Sequence, residues 1–308
     1  MKHLNILCST FFSKSRLVIL TLLLTSGGAV IAQTKDAQDT SATVTTAKKS
    51  PVKNTFESNW ILENQTAMVP AKGTLEFDIQ HRFGIVNNGY SDFYGLFAPA
   101  NIRMGFAYVP LKNLQLGFGL CKDRMQLDLN GKYAIAKQIK GGLPVSVTYF
   151  GNMVIDTRST SNFVSTGDRF SYFNQLMIAR KVTSKFSLQA AISLSHFNNV
   201  PGYIDAEGAI RNSVKNDQFT LSFMGRYKLS TQLAILADYD QPLTQNATSN
   251  PHPNLCAGLE ITTSSHCFQI LVGNSQYILP QNNALYNQND YSKGQFLVGF
   301  NMTKLWSF

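Results

Sequence analysis

From residue 74 onward, apolar and polar positions alternate with a period of two, in runs of about nine to twelve residues. The last run shows the pattern: Phe296, Val298, Phe300 and Met302 fall on one side, and Gln295, Leu297, Gly299 and Asn301 on the other. Twelve such runs are predicted as strands. They lie near 74–83, 100–109, 113–121, 125–136, 143–152, 170–180, 185–196, 217–228, 232–240, 254–262, 265–274 and 294–303. Each has the length a tilted strand needs to cross a bilayer. The connections alternate as well. Odd-to-even connections are long, as in Gly84–Pro99, Phe197–Asn216 and Ser275–Lys293, with Lys122–Arg124 the exception; even-to-odd ones are short, as in Pro110–Lys112 and Thr263–Ser264. Long loops on one rim and tight turns on the other predict an all-β fold: a closed antiparallel transmembrane β-barrel of about 12 strands over residues 73–308, with long extracellular loops and short periplasmic turns. The last strand is expected to pair with the first near Leu75 and close the sheet.

Side-chain matching predicts hairpin registers. Tyr108 falls beside Leu114, Phe106 beside Leu116 and Met104 beside Phe118. Tyr227 falls beside Leu233, Phe223 beside Ala237, Leu259 beside Phe268 and Leu255 beside Val272. A one-residue slip would turn each set onto the wrong face.

Composition fits this reading. Charged residues are 15% of the chain, below the roughly 25% of soluble domains, yet mean hydropathy is only -0.08. Apolar and small polar residues are therefore interleaved. Residues 1–32 read as a signal peptide, with Lys2, Lys14 and Arg16 ahead of the apolar core Leu17–Leu24 and small residues near Ala32. Removing them takes three bases and no acids, so the formal charge falls from +9 to +6. Residues 33–55 are expected to be a disordered periplasmic tether. Residues 56–72 are expected to be a lead-in segment docking on the barrel, because Phe56, Trp60, Ile61 and Leu62 are worth burying. A short helix under or inside the barrel and an ordered stretch at its rim are both open. The expected location is the bacterial outer membrane.

Several short stretches, Gly73-Thr-Leu-Glu-Phe, His81-Arg-Phe-Gly84, Leu176-Met-Ile-Ala-Arg-Lys181, Gly225-Arg-Tyr-Lys-Leu229 and Val298-Gly-Phe-Asn301 among them, together resemble an uncharacterised domain-of-unknown-function family of outer-membrane β-barrels from Bacteroidota. The resemblance covers about residues 56–303. It implies the barrel and brings no reaction, ligand or catalytic residue with it.

The inward phase of the strands carries Glu76, Asp78, Arg82, Arg103, Asp128, Lys132, Arg226, Asp238, Asp240 and Glu260. Charges of both signs suit a wet lumen and would be penalised in lipid. They fit a selective polar pore or a salt-bridged network filling a narrow barrel. Asp238 and Asp240 share one face, but no histidine partner for acid–base work is evident nearby. Ser195-His196-Phe197-Asn198 superficially resembles a barrel phospholipase site, yet alternation aims Ser195 and His196 at opposite faces. Cys256 and Cys267 lie in one hairpin but about 13 Å apart on the predicted register, beyond disulfide reach. No catalytic residue, metal site or cofactor is expected. The first long loop carries Tyr90, Phe93, Tyr94, Leu96 and Phe97, suited to a lid over the mouth, a ligand platform or an interfacial girdle.

The class that emerges is a passive outer-membrane barrel: a channel or uptake pore for small solutes, or a structural barrel. A surface binding module built on the long loops is the alternative, and a barrel hydrolase ranks below both. Expected partners are outer-membrane lipid, the barrel assembly machinery that reads a terminal strand ending in Trp306 and Phe308, and a small-molecule solute, with no nucleic acid. Lys112, Lys137, Lys140, Arg180, Lys181, Lys185, Lys228 and Lys304 make the short-turn rim basic.

Overall fold

The computed structural model describes residues 50–53 and 55–308; the predicted signal peptide and most of the predicted tether lie outside the described residues. Twelve strands form the wall: β1 (Thr74–Ile85), β2 (Asn101–Leu111), β3 (Leu114–Cys121), β4 (Gln126–Ala136), β5 (Ser146–Asp156) and β6 (Phe170–Lys181), then β7 (Phe186–Phe197), β8 (Asp217–Lys228), β9 (Leu233–Pro242), β10 (Asn254–Thr262), β11 (His266–Gly273) and β12 (Leu297–Ser307). Each pairs antiparallel with the next, and β12 returns to β1, with Trp306 opposite Leu75, so the sheet is a closed barrel. Closure leaves no unpaired strand edge, which is the condition for crossing lipid with strands. No helix among the described residues is long and apolar enough to span a membrane.

Alternation sorts the two faces along every strand. Met104, Phe106, Phe118, Leu120, Leu259, Ile270 and Phe300 stand on the outside, exposed, and form a belt of apolar side chains around the wall. A surface this greasy suits hydrocarbon and would aggregate in water. Leu297, Asn301 and Thr303 of β12 point inward and are buried.

The predicted hairpin registers are each off by two residues. Phe106 faces Phe118 and Tyr108 faces Leu116, with a bulge before Leu111 meets Leu114. Tyr227 faces Ile235 and Phe223 faces Tyr239. Leu259 faces Ile270, and Phe268 faces Ile261. The turns are wider than predicted: Leu229 and Ser230 both donate to the carbonyl of Leu233, and Thr263 donates to that of His266. An even slip keeps every side chain on its face, so the inside–outside pattern survives. Cys256 now opposes Gly273, six residues from Cys267. That separation is about 20 Å at ~3.4 Å per residue, and Cys121, Cys256 and Cys267 are free thiols.

Two segments enter the barrel. From the short-turn rim, the chain pairs Pro51 with Ile139 and bonds Val52 N to the Gln138 carbonyl. It then runs inward, turns at Leu62-Glu63, and returns to start β1. Residues 56–68 are extended, not helical: Trp60 pairs with Gln65 and Ile61 with Asn64 in a two-residue-loop hairpin. At the other rim, helix α1 (Pro280–Tyr286) in the loop between β11 and β12 is buried along its first six residues. Its Leu279 approach packs on Cys121 and Val154, and its Leu285 packs on Phe197 and Val214. The first long loop does not cover the mouth as a buried lid: Tyr90 and Phe97 are each more than 80% exposed.

Candidate functional site

All ten inward charges named from the sequence line the lumen wall, and none is more than 6% exposed. A water-filled bore would leave them accessible, so the lumen is filled. It is filled by the hairpin, which the wall grips through side chains.

The hairpin has an apolar and a polar side. Phe56, Ile61, Leu62 and Ala67 pack with Phe150, Phe173, Met177, Met224, Leu236 and Leu271 of the wall. Two extended strands of two residues leave most of their backbone groups unpaired, and buried amides need partners. Neutral wall side chains supply them. Gln269 accepts from Leu62 N (3.1 Å) and donates to the Trp60 carbonyl (2.8 Å). Gln189 accepts from Ala67 N (2.7 Å) and donates to the Gln65 carbonyl (2.7 Å). Asn301 and Thr148 donate to the carbonyls of Leu62 (2.7 Å) and Ala67 (2.9 Å). None of these residues is charged, so inward charge does not mark them; their signal in the sequence is an amide or hydroxyl at an inward position. At the turn, Leu62 adopts φ 56, a left-handed conformation that costs a leucine about 1–2 kcal/mol. Gly258 of the wall makes room for it, since a Cβ there would stand 2.8 Å from Leu62 Cδ2.

The ten charges divide into three groups. Arg103 is a wall clamp: Nη1 donates to Asp78 (2.7 Å), while Nε and Nη2 hold both oxygens of Asp128 (2.8 and 2.9 Å), tying β1, β2 and β4 together. Its guanidinium lies 5.5 Å from the Trp60 ring. Gly119 gives it space, as a Cβ there would come 2.4 Å from Nη2. Arg226 similarly pairs with Glu260 (2.8 Å).

The second group holds the hairpin. Lys132 donates to Asn59 Oδ1 (3.0 Å), Gln65 Oε1 (2.8 Å) and the Thr66 carbonyl (3.3 Å), all on the hairpin. Glu76 accepts from Gln115 (3.2 Å) and from Asn59. The third group surrounds the turn. Asn64 donates to both oxygens of Asp238 (3.0 and 3.1 Å) and to Asp240 (2.8 Å), and Glu63 N donates to Asp238 (3.2 Å). Arg82 bonds Asn301 (2.9 Å) and the Leu62 carbonyl (3.3 Å) but stands 3.8 Å from Glu63, whose two oxygens have no hydrogen-bond donor. Burial pushes the Glu63 carboxyl up to about 8, against the pull of Arg82 and with Asp240 adding to the rise.

Above the turn, a cavity of about 10 Å³ lies between Glu63, Asn64 and α1 residues Pro280, Asn283 and Ala284. A second of about 10 Å³ lies beside Glu76, Lys132 and Trp60. Each is about the size of one water. Hairpin and helix therefore meet inside the barrel, one from each rim.

The enzyme-like pattern is taken apart by the fold. Ser195 is buried in the lumen, whereas His196 stands outside and bonds Asp217 at 2.7 Å. Among the described residues no group of three or more His, Cys, Asp or Glu side chains is arranged to hold a metal.

A closed barrel with an apolar outer belt and a plugged polar lumen is a membrane-spanning β-barrel of the outer-membrane type. Residues 56–306 match the family described as a membrane bound beta barrel domain (DUF5777), and the chain belongs to that family. No curated protein matches it. Among solved structures, the chain is similar to the NanC porin, at 9% identity over 76% of this chain and 99% of that one, with a TM-score of 0.46. It is similar to the KdgM porin at 10% identity over 76% and 99%, TM-score 0.43. An outer membrane channel from Pseudomonas putida F1 gives 11% identity over 78% and 97%, TM-score 0.48.

Proposed function

We propose that this protein is an outer-membrane channel for small solutes, closed by its own N-terminal hairpin. The observation that carries the reading is the chemistry of the plug–wall contact. On one side of the hairpin the wall packs apolar side chains; on the other it meets the hairpin with amides and ions, which water can replace once the hairpin leaves. A barrel filled for strength alone would gain more from a continuous apolar core, because a buried ionic network is weak evidence for stability. With the hairpin out, the lumen presents six carboxylates and four bases, a wall suited to hydrated polar solutes. In this reading the short-turn rim faces the periplasm, residues 1–32 direct export, the belt meets outer-membrane lipid, and assembly machinery reads the terminal strand.

Planar-bilayer conductance tests it. The mature chain should conduct rarely, and deletion of residues 56–68 should give a steady ohmic pore. A deleted barrel that shows heat-modifiable migration, and is therefore folded, yet stays closed would refute the channel. A second reading, a surface binding module, is favoured by the exposed aromatics Tyr90, Phe93, Tyr94 and Phe97 of the first long loop. It predicts that the deletion leaves function untouched and that trimming this loop abolishes it.

A further inference from the structure

At the long-loop rim, outside the hairpin's reach, lies a larger cavity of about 220 Å³, between the turn 122–125, the loop 157–169 and the end of α1. At ~30 Å³ per water it has room for several waters or one compact organic ion, and it is smaller than the usual site for a drug-sized ligand. Three arginines border it: Arg124, Arg158 and Arg169. Arg158 is committed, holding both oxygens of Asp156 (3.0 and 2.7 Å). Arg124 and Arg169 have no carboxylate within ion-pair distance among the described residues. Each instead lies over a ring, Arg124 at 3.9 Å from the centroid of Tyr286 and Arg169 at 4.7 Å from that of Phe163. Arg169 also donates to the Asp156 carbonyl (3.0 Å), leaving other guanidinium donors unused. The second carboxylate at the cavity, Asp168, accepts from Val164 N, Ser165 N and Ser165 Oγ.

Stacking fixes the plane of a guanidinium while leaving its edge able to bind a carboxylate through two parallel bonds. Arg124 and Met125 are held at φ 52 and 48. Such left-handed backbone costs about 1–3 kcal/mol per residue and clusters at ligand sites. Phe197 and the ring of Tyr286 give the cavity apolar wall alongside the two cations.

We propose that this cavity is a binding site for a compact ring-bearing carboxylate: Arg124 and Arg169 take the anion, and the aromatic wall takes the ring. The proposal rests on the channel reading for its purpose, since a ligand here would touch Tyr286, the last residue of the helix at the long-loop rim. Its binding chemistry does not depend on conduction.

Isothermal titration of the mature chain in detergent micelles tests it, with benzoate and glucuronate as carboxylate probes, benzamide and glucose as their neutral counterparts, and inorganic phosphate as a ringless anion. At least one carboxylate should bind with a Kd of about 1 mM or tighter, and its neutral counterpart and phosphate at least tenfold more weakly. Arg124→Gln and Arg169→Gln should each weaken the bound carboxylate tenfold or more while heat-modifiable migration is retained. Absence of binding by both carboxylates, equal binding of the neutral counterpart or of phosphate, or indifference to both substitutions overturns the site. Conductance measured on the same preparation separates the two readings: carboxylate binding without any pore after hairpin deletion removes the channel and leaves the site.

Discussion

Replacing Arg103 by Met leaves Asp78 and Asp128 facing a gap where their shared cation stood. Three of the four side-chain bonds it loses are short, at 2.7, 2.8 and 2.9 Å, the fourth, to Gln80 Oε1, is 3.4 Å, and all the side chains involved are buried. Lys132 cannot substitute, because its ammonium is taken by Asn59, Gln65 and Thr66 of the hairpin. Stripping one partner from a buried pair costs about 3–5 kcal/mol, mostly for the uncompensated charge that remains. The loss falls on the wall, since the clamp joins β1, β2 and β4. Urea unfolding in vesicles should therefore shift by about that amount. The neutral triple variant Asp78→Asn, Arg103→Met, Asp128→Asn should return to within about 2 kcal/mol of the native protein, because matched neutral groups carry no stranded charge. The chain has two tryptophans, so in a Trp306→Phe background the emission of Trp60 reports on the hairpin. Lys132→Met supplies the contrast: its lost bonds, about 1.5–3 kcal/mol each, all join wall to hairpin. It should raise conductance and leave unfolding of the barrel nearly unchanged. If Arg103→Met unfolds at the native urea concentration, or the triple variant is as damaged as the single one, the assignment of this clamp to the wall is wrong.

Three further outcomes are expected. Glu63, held at about 8 in the docked hairpin against 4.5 in the free chain, keeps a proton that the undocked segment gives up, so docking is strongest below pH 4.5 and weakens up to about pH 8. At about 1.4 kcal/mol per pH unit the loss reaches up to about 5 kcal/mol; conductance should rise over that window, and Glu63→Gln should flatten the rise. Neutralising Lys137, Lys140, Arg180 and Lys181 to Gln should weaken insertion into anionic liposomes, at about 1 kcal/mol per charge near the surface, and leave neutral liposomes unaffected; an equal response in both lipids would make the rim charges incidental. Limited proteolysis should spare residues 56–68 in the folded barrel, and cleavage there as fast as in the preceding segment would mean that the hairpin is not docked.

Strand number, strand faces and the sorting of loops were legible because each depends on a local period-two pattern. Strands 217–228 and 254–262 were placed to the residue. Register was not legible, for a physical reason. A two-residue slip changes no face, so the alternation that located the strands is blind to it, and the slip is decided by turn width and by bulges such as that between Tyr108 and Leu111. The hairpin announced itself through Phe56, Trp60, Ile61 and Leu62, but those residues suit a helix as well as an extended turn. What selects the extended form is Gln189, Gln269 and Asn301, which reach its backbone only after the barrel has closed. Helix α1 gave still less warning: Pro280-Gln-Asn-Asn-Ala-Leu-Tyr286 has no apolar periodicity. Its Asn282 is fixed by Gln126 (2.7 Å), 156 residues away in sequence.

An extended plug has a consequence that a helical one would lack. A helix pairs its own amides and can slide or rotate in a bore with little penalty. This hairpin gives up nine backbone bonds to wall side chains if it moves, among them those from Leu62, Ala67 and Thr66. Left without partners at about 1–3 kcal/mol each, they amount to roughly 9–27 kcal/mol, and the apolar side of the hairpin adds burial to that. Partial displacement would forfeit the bonds without opening a path wide enough for water to replace them, so intermediate positions are disfavoured. Complete withdrawal lets water satisfy both wall and hairpin and recovers most of the polar part. The contact is thus built for two positions, seated and out. A perturbation at either end, protons at Glu63 or a pull on the chain at Pro51, acts by shifting the balance between them.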